Sequence, residues 1–176
     1  MRARVFNRRE LLAGGAASGA AILSGCLTSR SRWGFFSEDQ AATLALLCGQ
    51  IVPADDFPSA SDAGAVVYID RQLGGPYRRH RRAYRDGIRA AEELCRSRFG
   101  AILTLVSPAQ QLELTRELER SQPAFFELVR RHTMESFYGS PRHGGNRDAV
   151  SWRMLGLDEP PLRGRAQYDL AAGPKS

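Results

Sequence analysis

The sequence predicts an all-α protein: a compact domain of five or six short helices with a Gly-rich C-terminal loop and an extended tail. Three observations predict it. Apolar residues recur at i, i+3, i+4 and i+7 in successive segments. Helix-start chemistry (Ser or Ser-Pro ahead of Gln or an apolar run) precedes most of those segments. No stretch alternates polar and apolar residues with the β-branched content of a strand, and no internal repeat is visible.

The chain of 176 residues is long enough for one domain of ordinary size, with 43% apolar and 25% charged residues. Residues 1–25 read as an address rather than as fold. A basic start leads into Arg8-Arg9-Glu10-Leu11-Leu12, which resembles a twin-arginine export signal. Residues 11–23 are only mildly apolar and shorter than the roughly 20 residues of a spanning helix. Leu23-Ser24-Gly25-Cys26 then resembles a lipobox, in which Cys26 becomes the lipid-modified N-terminus after cleavage; the alternative is an ordinary signal with an incidental cysteine. Residues 26–36 are expected to be a tether. The leader's four arginines and one glutamate carry three of the six net positive charges, which leaves a mature chain too near neutrality to argue for nucleic acid.

The helical domain is expected over residues 37–157. Ser37 caps the first helix, with Gln40 at the capping-box position. Leu44, Leu47, Cys48 and Ile51 form its apolar stripe, and Pro53 stops it. After the loop over 53–62, Ser61 is expected to cap a second helix carrying Val66, Val67, Ile69 and Leu73, broken by Gly74-Gly75-Pro76. Pro76 is placed in the first turn of a third helix over 76–98, with Tyr77, Tyr84, Ile88, Ala91 and Cys95 on one face and Gly100 at its end. Ser107-Pro108 opens a fourth with Leu112, Leu114 and Leu118. Ser121-Gln122-Pro123 opens a fifth with Phe125, Phe126, Leu128, Val129 and Phe137. A short helical segment near 148–155 follows, and residues 158–176 form a polar tail.

Candidate chemistry is sparse. Cys26, Cys48 and Cys95 make no C-x-x-C or C-x-x-C-H unit, so no framework for a zinc ribbon, an iron–sulfur cluster or covalent haem is present. Whether Cys48 and Cys95 pair or stay as two buried thiols is open. Asp55-Asp56 lacks further oxygen ligands at metal-site spacing and reads as loop capping. His80, His132 and His143 form no His-x-x-His pattern, and His132 reads as structural. The run Arg78-Arg79-His80-Arg81-Arg82 with Arg85 and Arg89 reads first as a solvated helix face, and second as a contact to a membrane surface or an acidic partner. The glycines and Pro141 of 138–146 match neither a dinucleotide fingerprint nor a P-loop. With the aromatics Phe137, Tyr138 and Trp152, they read equally as a partner surface or as a self-packed loop.

At this point the residues resemble a family. Ile51-Val52-Pro53-Ala54-Asp55-Asp56, then Ala63-Gly64 into Tyr68-Ile69-Asp70, then His132-Thr133-Met134-Glu135-Ser136-Phe137-Tyr138-Gly139-Ser140-Pro141 with Gly144-Gly145-Asn146-Arg147-Asp148, Trp152 and Leu155-Gly156 resemble the gluconate 2-dehydrogenase subunit 3 family. His143 stands where a tyrosine is usual and Ser140 where an aspartate is common. The resemblance implies a non-catalytic small subunit beside a large FAD-dependent subunit of the glucose–methanol–choline type, which oxidises a sugar or sugar acid in the periplasm. It implies that FAD sits in that large subunit and haem c in a cytochrome c subunit that often completes the complex, with no cofactor in this chain. It also implies that the small subunit supports folding of the large one and carries it through the twin-arginine translocase by Arg8 and Arg9; the lipobox-like residues make Cys26 the expected membrane anchor. The expected partner-facing residues are Phe137, Tyr138, Gly139, Pro141, Gly144, Gly145, Asn146 and Trp152, with no metal site. The alternative from a different class is a free-standing helical periplasmic lipoprotein that binds a small ligand or an envelope component.

Overall fold

A computed structural model describes residues 32–157 of the chain. Arg8, Arg9, Cys26 and the tail from 158 lie outside the described residues. Among those described there are six α-helices and no strand.

Helix α1 (Glu38–Ile51) starts on the expected capping box: the Ser37 hydroxyl accepts from Gln40 N–H and the Gln40 side chain returns to Ser37 N–H. It buries Ala41, Thr43, Leu44, Leu47 and Cys48 and ends at Val52, before Pro53. Helix α2 (Ala65–Gly74) begins later than expected. Ser61 does not cap it. The capping chemistry sits two residues earlier, where Ser59 N–H and hydroxyl both donate to the Asp62 carboxylate and Asp62 N–H donates back to Ser59 Oγ. That box closes a separate turn, and the chain then passes through Gly64 at φ +90° before α2 proper.

Pro76 likewise does not open α3 (Arg81–Phe99); a 3-10 turn at Arg78–His80 precedes it. Tyr84, Ile88, Ala91 and Cys95 are buried as expected, and Gly100 ends the helix at φ +69°. A 3-10 turn at Leu103–Leu105 buries Leu103 and leaves Leu105 on the surface. Helix α4 (Pro108–Ser121) repeats the capping box with Ser107 and Gln110. Its buried side is Leu114, Thr115 and Leu118; Leu112 is exposed, because it stands half a turn away from that stripe.

Helix α5 (Pro123–Tyr138) touches each of α1–α4. It buries Phe125, Leu128, Val129, His132, Thr133, Ser136 and Phe137, while Phe126 is half-buried. A 3-10 turn at Pro141–His143, another at Arg147–Ala149 and the short α6 (Val150–Met154) complete the domain. Leu44, Ile69, Leu73, Tyr84, Leu114 and Phe137 are almost fully buried. Each such side chain contributes about 1.5–3 kcal/mol by leaving water. No helix among the described residues is long and apolar enough to cross a membrane.

Residues expected at the end of the tether belong to the fold. Phe36 is buried, and Trp33 and Phe35 pack partly against the core. Their backbone is held by one carboxylate: Asp70 Oδ2 accepts from Gly34 N–H at 2.8 Å, and Oδ1 accepts from Phe35 and Phe36 N–H at 2.9 and 3.1 Å. Asp70 is itself buried on α2, so those three donors are what hold its charge away from water.

Candidate partner interface

The sequence blocks that carry the resemblance are far apart in the chain and meet in space. The joint is built around Asn146. Its side-chain N–H donates to the carbonyl of Gly139 at 2.8 Å, and its Oδ1 accepts from Ser151 N–H at 2.9 Å. Asn146 is fully buried at φ +44°, a left-handed backbone that asparagine tolerates better than most residues. Asp148 and Ala149 follow at φ +56° and +53°. Three left-handed non-glycine residues in four positions are costly, and the bonds of Asn146 hold the chain through them.

Close backbone approach explains the glycines on either side. A Cβ on Gly145 would stand 2.2 Å from Ser136 Oγ and 2.6 Å from the Ser136 carbonyl on α5. A Cβ on Gly64 would stand 2.7 Å from the Gly144 carbonyl. Arg147 N–H donates to the Ala63 carbonyl at 2.9 Å. The Ala63-Gly64 block and the Gly144–Arg147 block are therefore one contact.

The outer side of this joint is an apolar groove of about 360 Å³. It is lined by the Ile51-Val52-Pro53 block with Asp55, Phe57 and Pro58, and by Met134, Phe137, Tyr138 and Met154. Tyr138 is 40% exposed, and Leu155 and Leu157 just past α6 are 54% and 55% exposed. Trp152 donates its indole N–H to the Tyr138 carbonyl at 3.1 Å, which fixes α6 against the end of α5.

The expected partner-facing set is thus divided by depth. Tyr138 is exposed, and Gly139, Pro141, Gly144 and Trp152 are half-buried. Phe137, Gly145 and Asn146 are buried inside the chain. Gly145 and Asn146 shape the loop from within, and Phe137, though buried, lines the groove. The loop packs on itself through Asn146 and Gly145 and leaves Tyr138 exposed.

Sequence reasoning missed an aromatic network beside the joint. The Tyr77 ring stacks on His132 with centroids 4.3 Å apart, and Tyr77 O–H donates to Glu135 at 2.5 Å. Tyr84 O–H and His132 Nδ1 are 2.9 Å apart, and the Tyr68 and Tyr77 hydroxyls 3.3 Å apart. Burial pushes His132 down to about 4, so its ring is neutral, and a single proton, on Tyr84 or on Nδ1, makes the bond between them. Burial also raises Tyr84 and Tyr77 well above the ordinary phenol range. His80 is lowered, chiefly by desolvation and then by Arg79 and Arg131. The only signal in the sequence was that His132 and Glu135 share a block with Tyr68 in another.

Cys48 and Cys95 are both free and buried. Thr133 Oγ1 donates to Cys48 Sγ at 3.2 Å, yet burial dominates and pushes that thiol up to about 12. Asp55 accepts from Phe57 N–H, a local turn rather than a cap on the next helix. Among the described residues, no group of three His, Cys, Asp or Glu side chains is placed to hold a metal ion.

Taken together, the fold and site define a class: a small all-helical domain whose most specific residues build one joint and the apolar groove over it. The model of the family described as Gluconate 2-dehydrogenase subunit 3 matches residues 38–158, and the chain belongs to that family. It is thereby an accessory subunit of a multi-subunit dehydrogenase. No curated protein and no solved structure matches the chain.

Proposed function

We propose that the chain is the non-catalytic small subunit of a periplasmic, membrane-associated FAD-dependent dehydrogenase of the glucose–methanol–choline type, acting on a sugar or sugar acid. It docks on the large flavoprotein, supports its folding and carries it through the twin-arginine translocase by Arg8 and Arg9. Cys26 anchors the complex by its lipid. Electrons pass from substrate to FAD to haem c in a cytochrome subunit, all outside this chain.

The observation that carries the reading is the groove between Ile51–Pro53 and Met134, Tyr138 and Met154, flanked by exposed Leu155 and Leu157. A largely apolar groove with an exposed aromatic in its lining has the chemistry of a protein-binding surface. An export route for folded proteins on a chain with no cofactor motif of its own supports the escort role.

The test is Arg8→Lys with Arg9→Lys in the native host. Dehydrogenase activity should remain in the cytoplasm; activity that still reaches the periplasm contradicts the escort role. The second reading, a free-standing lipoprotein with a small ligand, has one observation behind it: a cavity of about 410 Å³ between α1 and α3, lined by Thr43, Ile88, Glu92 and Ile102. Recovery of the chain alone from native membranes, with a small molecule bound, would favour it.

A further inference from the structure

We propose that the groove beside Tyr138 receives a segment of the flavoprotein that carries a basic side chain next to its apolar ones, and that Asp55 meets this cation. The proposal rests on the reading of the groove as the flavoprotein's docking surface and adds the chemistry of the segment that docks.

Among the described residues that line the groove, Asp55 alone is charged; the rest are aliphatic, aromatic, proline and methionine side chains. Its carboxylate is held by its own loop. Asp55 Oδ1 accepts from Phe57 N–H at 2.9 Å, and Asp55 N–H donates to the Phe57 carbonyl at 3.0 Å. Ala60 N–H donates to the Val52 carbonyl at 3.0 Å and closes the base of the loop. The charge is therefore fixed relative to the apolar lining before any partner arrives.

No cation of the described residues answers it. Asp86, Glu113, Glu117 and Glu127 each pair with an arginine. Neither Asp55 nor Asp56 makes an ion pair among the described residues, and both are exposed. The chain has more basic than acidic residues, so a shortage of arginine is not the reason.

Docking turns the unpaired charge into a requirement. A surface that fills the groove takes water from Asp55 as well as from Tyr138 and Met154. A carboxylate stripped of water without a partner opposes association. A wholly apolar or an acidic segment is rejected on that ground, and one with a basic side chain opposite Asp55 is accepted. One oxygen of Asp55 is engaged by Phe57 N–H, and the other makes no bond among the described residues. Asp56, exposed beside it, adds attraction at longer range. A second copy of this chain is a poor occupant: two-fold pairing would bring the Asp55 and Asp56 of both copies into one interface.

The experiment uses the flavoprotein recovered from the native host on the tagged wild-type chain and released from it. It is bound again by immobilised full chains at about 0.05 M and about 1 M salt. Asp55→Asn with Asp56→Asn removes both charges and keeps a side-chain oxygen for Phe57 N–H; its urea midpoint is checked against wild type. Association should slow by roughly tenfold at the lower salt and approach the wild-type rate at the higher. Asp55→Lys with Asp56→Lys should slow it by roughly a further tenfold. Glu93→Gln with Glu119→Gln, on α3 and α4 away from the groove, removes the same charge and should change the rate by less than about twofold. Equal rates for wild type and the Asn pair, or equal slowing by the Asn and Gln pairs, overturns the proposal and leaves the docking reading standing. Faster association of the Asn pair gives the groove an acidic occupant and overturns it too. Dimerisation of the wild-type chain alone, abolished by Tyr138→Asp, gives the groove to a second copy and does the same. A wild-type chain that recovers no flavoprotein sinks the docking reading itself, and this inference with it.

Discussion

The carbonyl oxygen of Gly144 stands 2.7 Å from where a Cβ on Gly64 would be, so the loop ahead of α2 and the C-terminal loop touch backbone to backbone. Gly64 also holds φ +90°. Gly64→Ala therefore adds left-handed strain and a clash with an atom that cannot rotate away. We expect a loss of about 2–4 kcal/mol in urea unfolding. A change under 1 kcal/mol would mean that the two loops separate freely.

Asn146 joins the same loop to α6, and two substitutions divide its roles. Asn146→Ala removes both bonds and places alanine at φ +44°. Asn146→Gly removes the bonds alone. Alanine should cost about 3 kcal/mol and glycine about 1 kcal/mol less. Protease cleavage between residues 139 and 149 should rise in the same order. Equal losses would show that the backbone conformation contributes nothing.

Asp70→Ala takes the acceptor from three backbone N–H groups and should free the segment from Trp33 to Phe36. With Trp152→Phe to isolate the signal, Trp33 emission should shift to the red. Amide exchange at Phe35 and Phe36 should speed up at least tenfold, the effect of losing charged hydrogen bonds. Unchanged exchange would place the hold elsewhere, in the burial of Phe36.

His132 makes the fold sensitive to mild acid. Its folded value of about 4 lies below the ordinary histidine value of 6.5. In that window the unfolded chain binds the proton and the folded chain does not. The contribution is complete above pH 6.5 and is lost as pH falls towards 4, on the order of 3 kcal/mol over the whole span. Urea midpoints between pH 7 and 5 should fall in the wild type and fall less in His132→Gln. Parallel slopes would contradict the assignment.

What was legible in the sequence was local. Ser37 with Gln40, and Ser107 with Gln110, are capping boxes four residues long, and the backbone obeys them. The stripe of Tyr84, Ile88, Ala91 and Cys95 is periodic and buried. Ser61 misled because Ser59, with Asp62 three residues on, offers the same chemistry and wins. Leu112 misled because an apolar residue can lie off the buried stripe at little cost. The aromatics and glycines of the C-terminal block marked the loop that Asn146 ties to the end of α5 and to α6. Which of them faces inward was hidden, since Phe137 is buried in the folded core and Asn146 by its bonds to Gly139 and Ser151, contacts that exist only once the chain folds. The Asp70 clamp left no trace either, because backbone N–H groups are the same at every residue.

The central claim, that the groove beside Tyr138 is covered by a flavoprotein, is tested most directly by affinity capture from the native host. Tagged wild-type chain should recover a flavin-containing protein in near-equal amount. Tyr138→Asp with Met154→Asp, confirmed helical by circular dichroism, should bind it roughly thirtyfold more weakly, the effect of losing an anchor residue. Wild-type chain recovered without flavin, or a double variant that captures the flavoprotein as well as wild type does, would contradict the account.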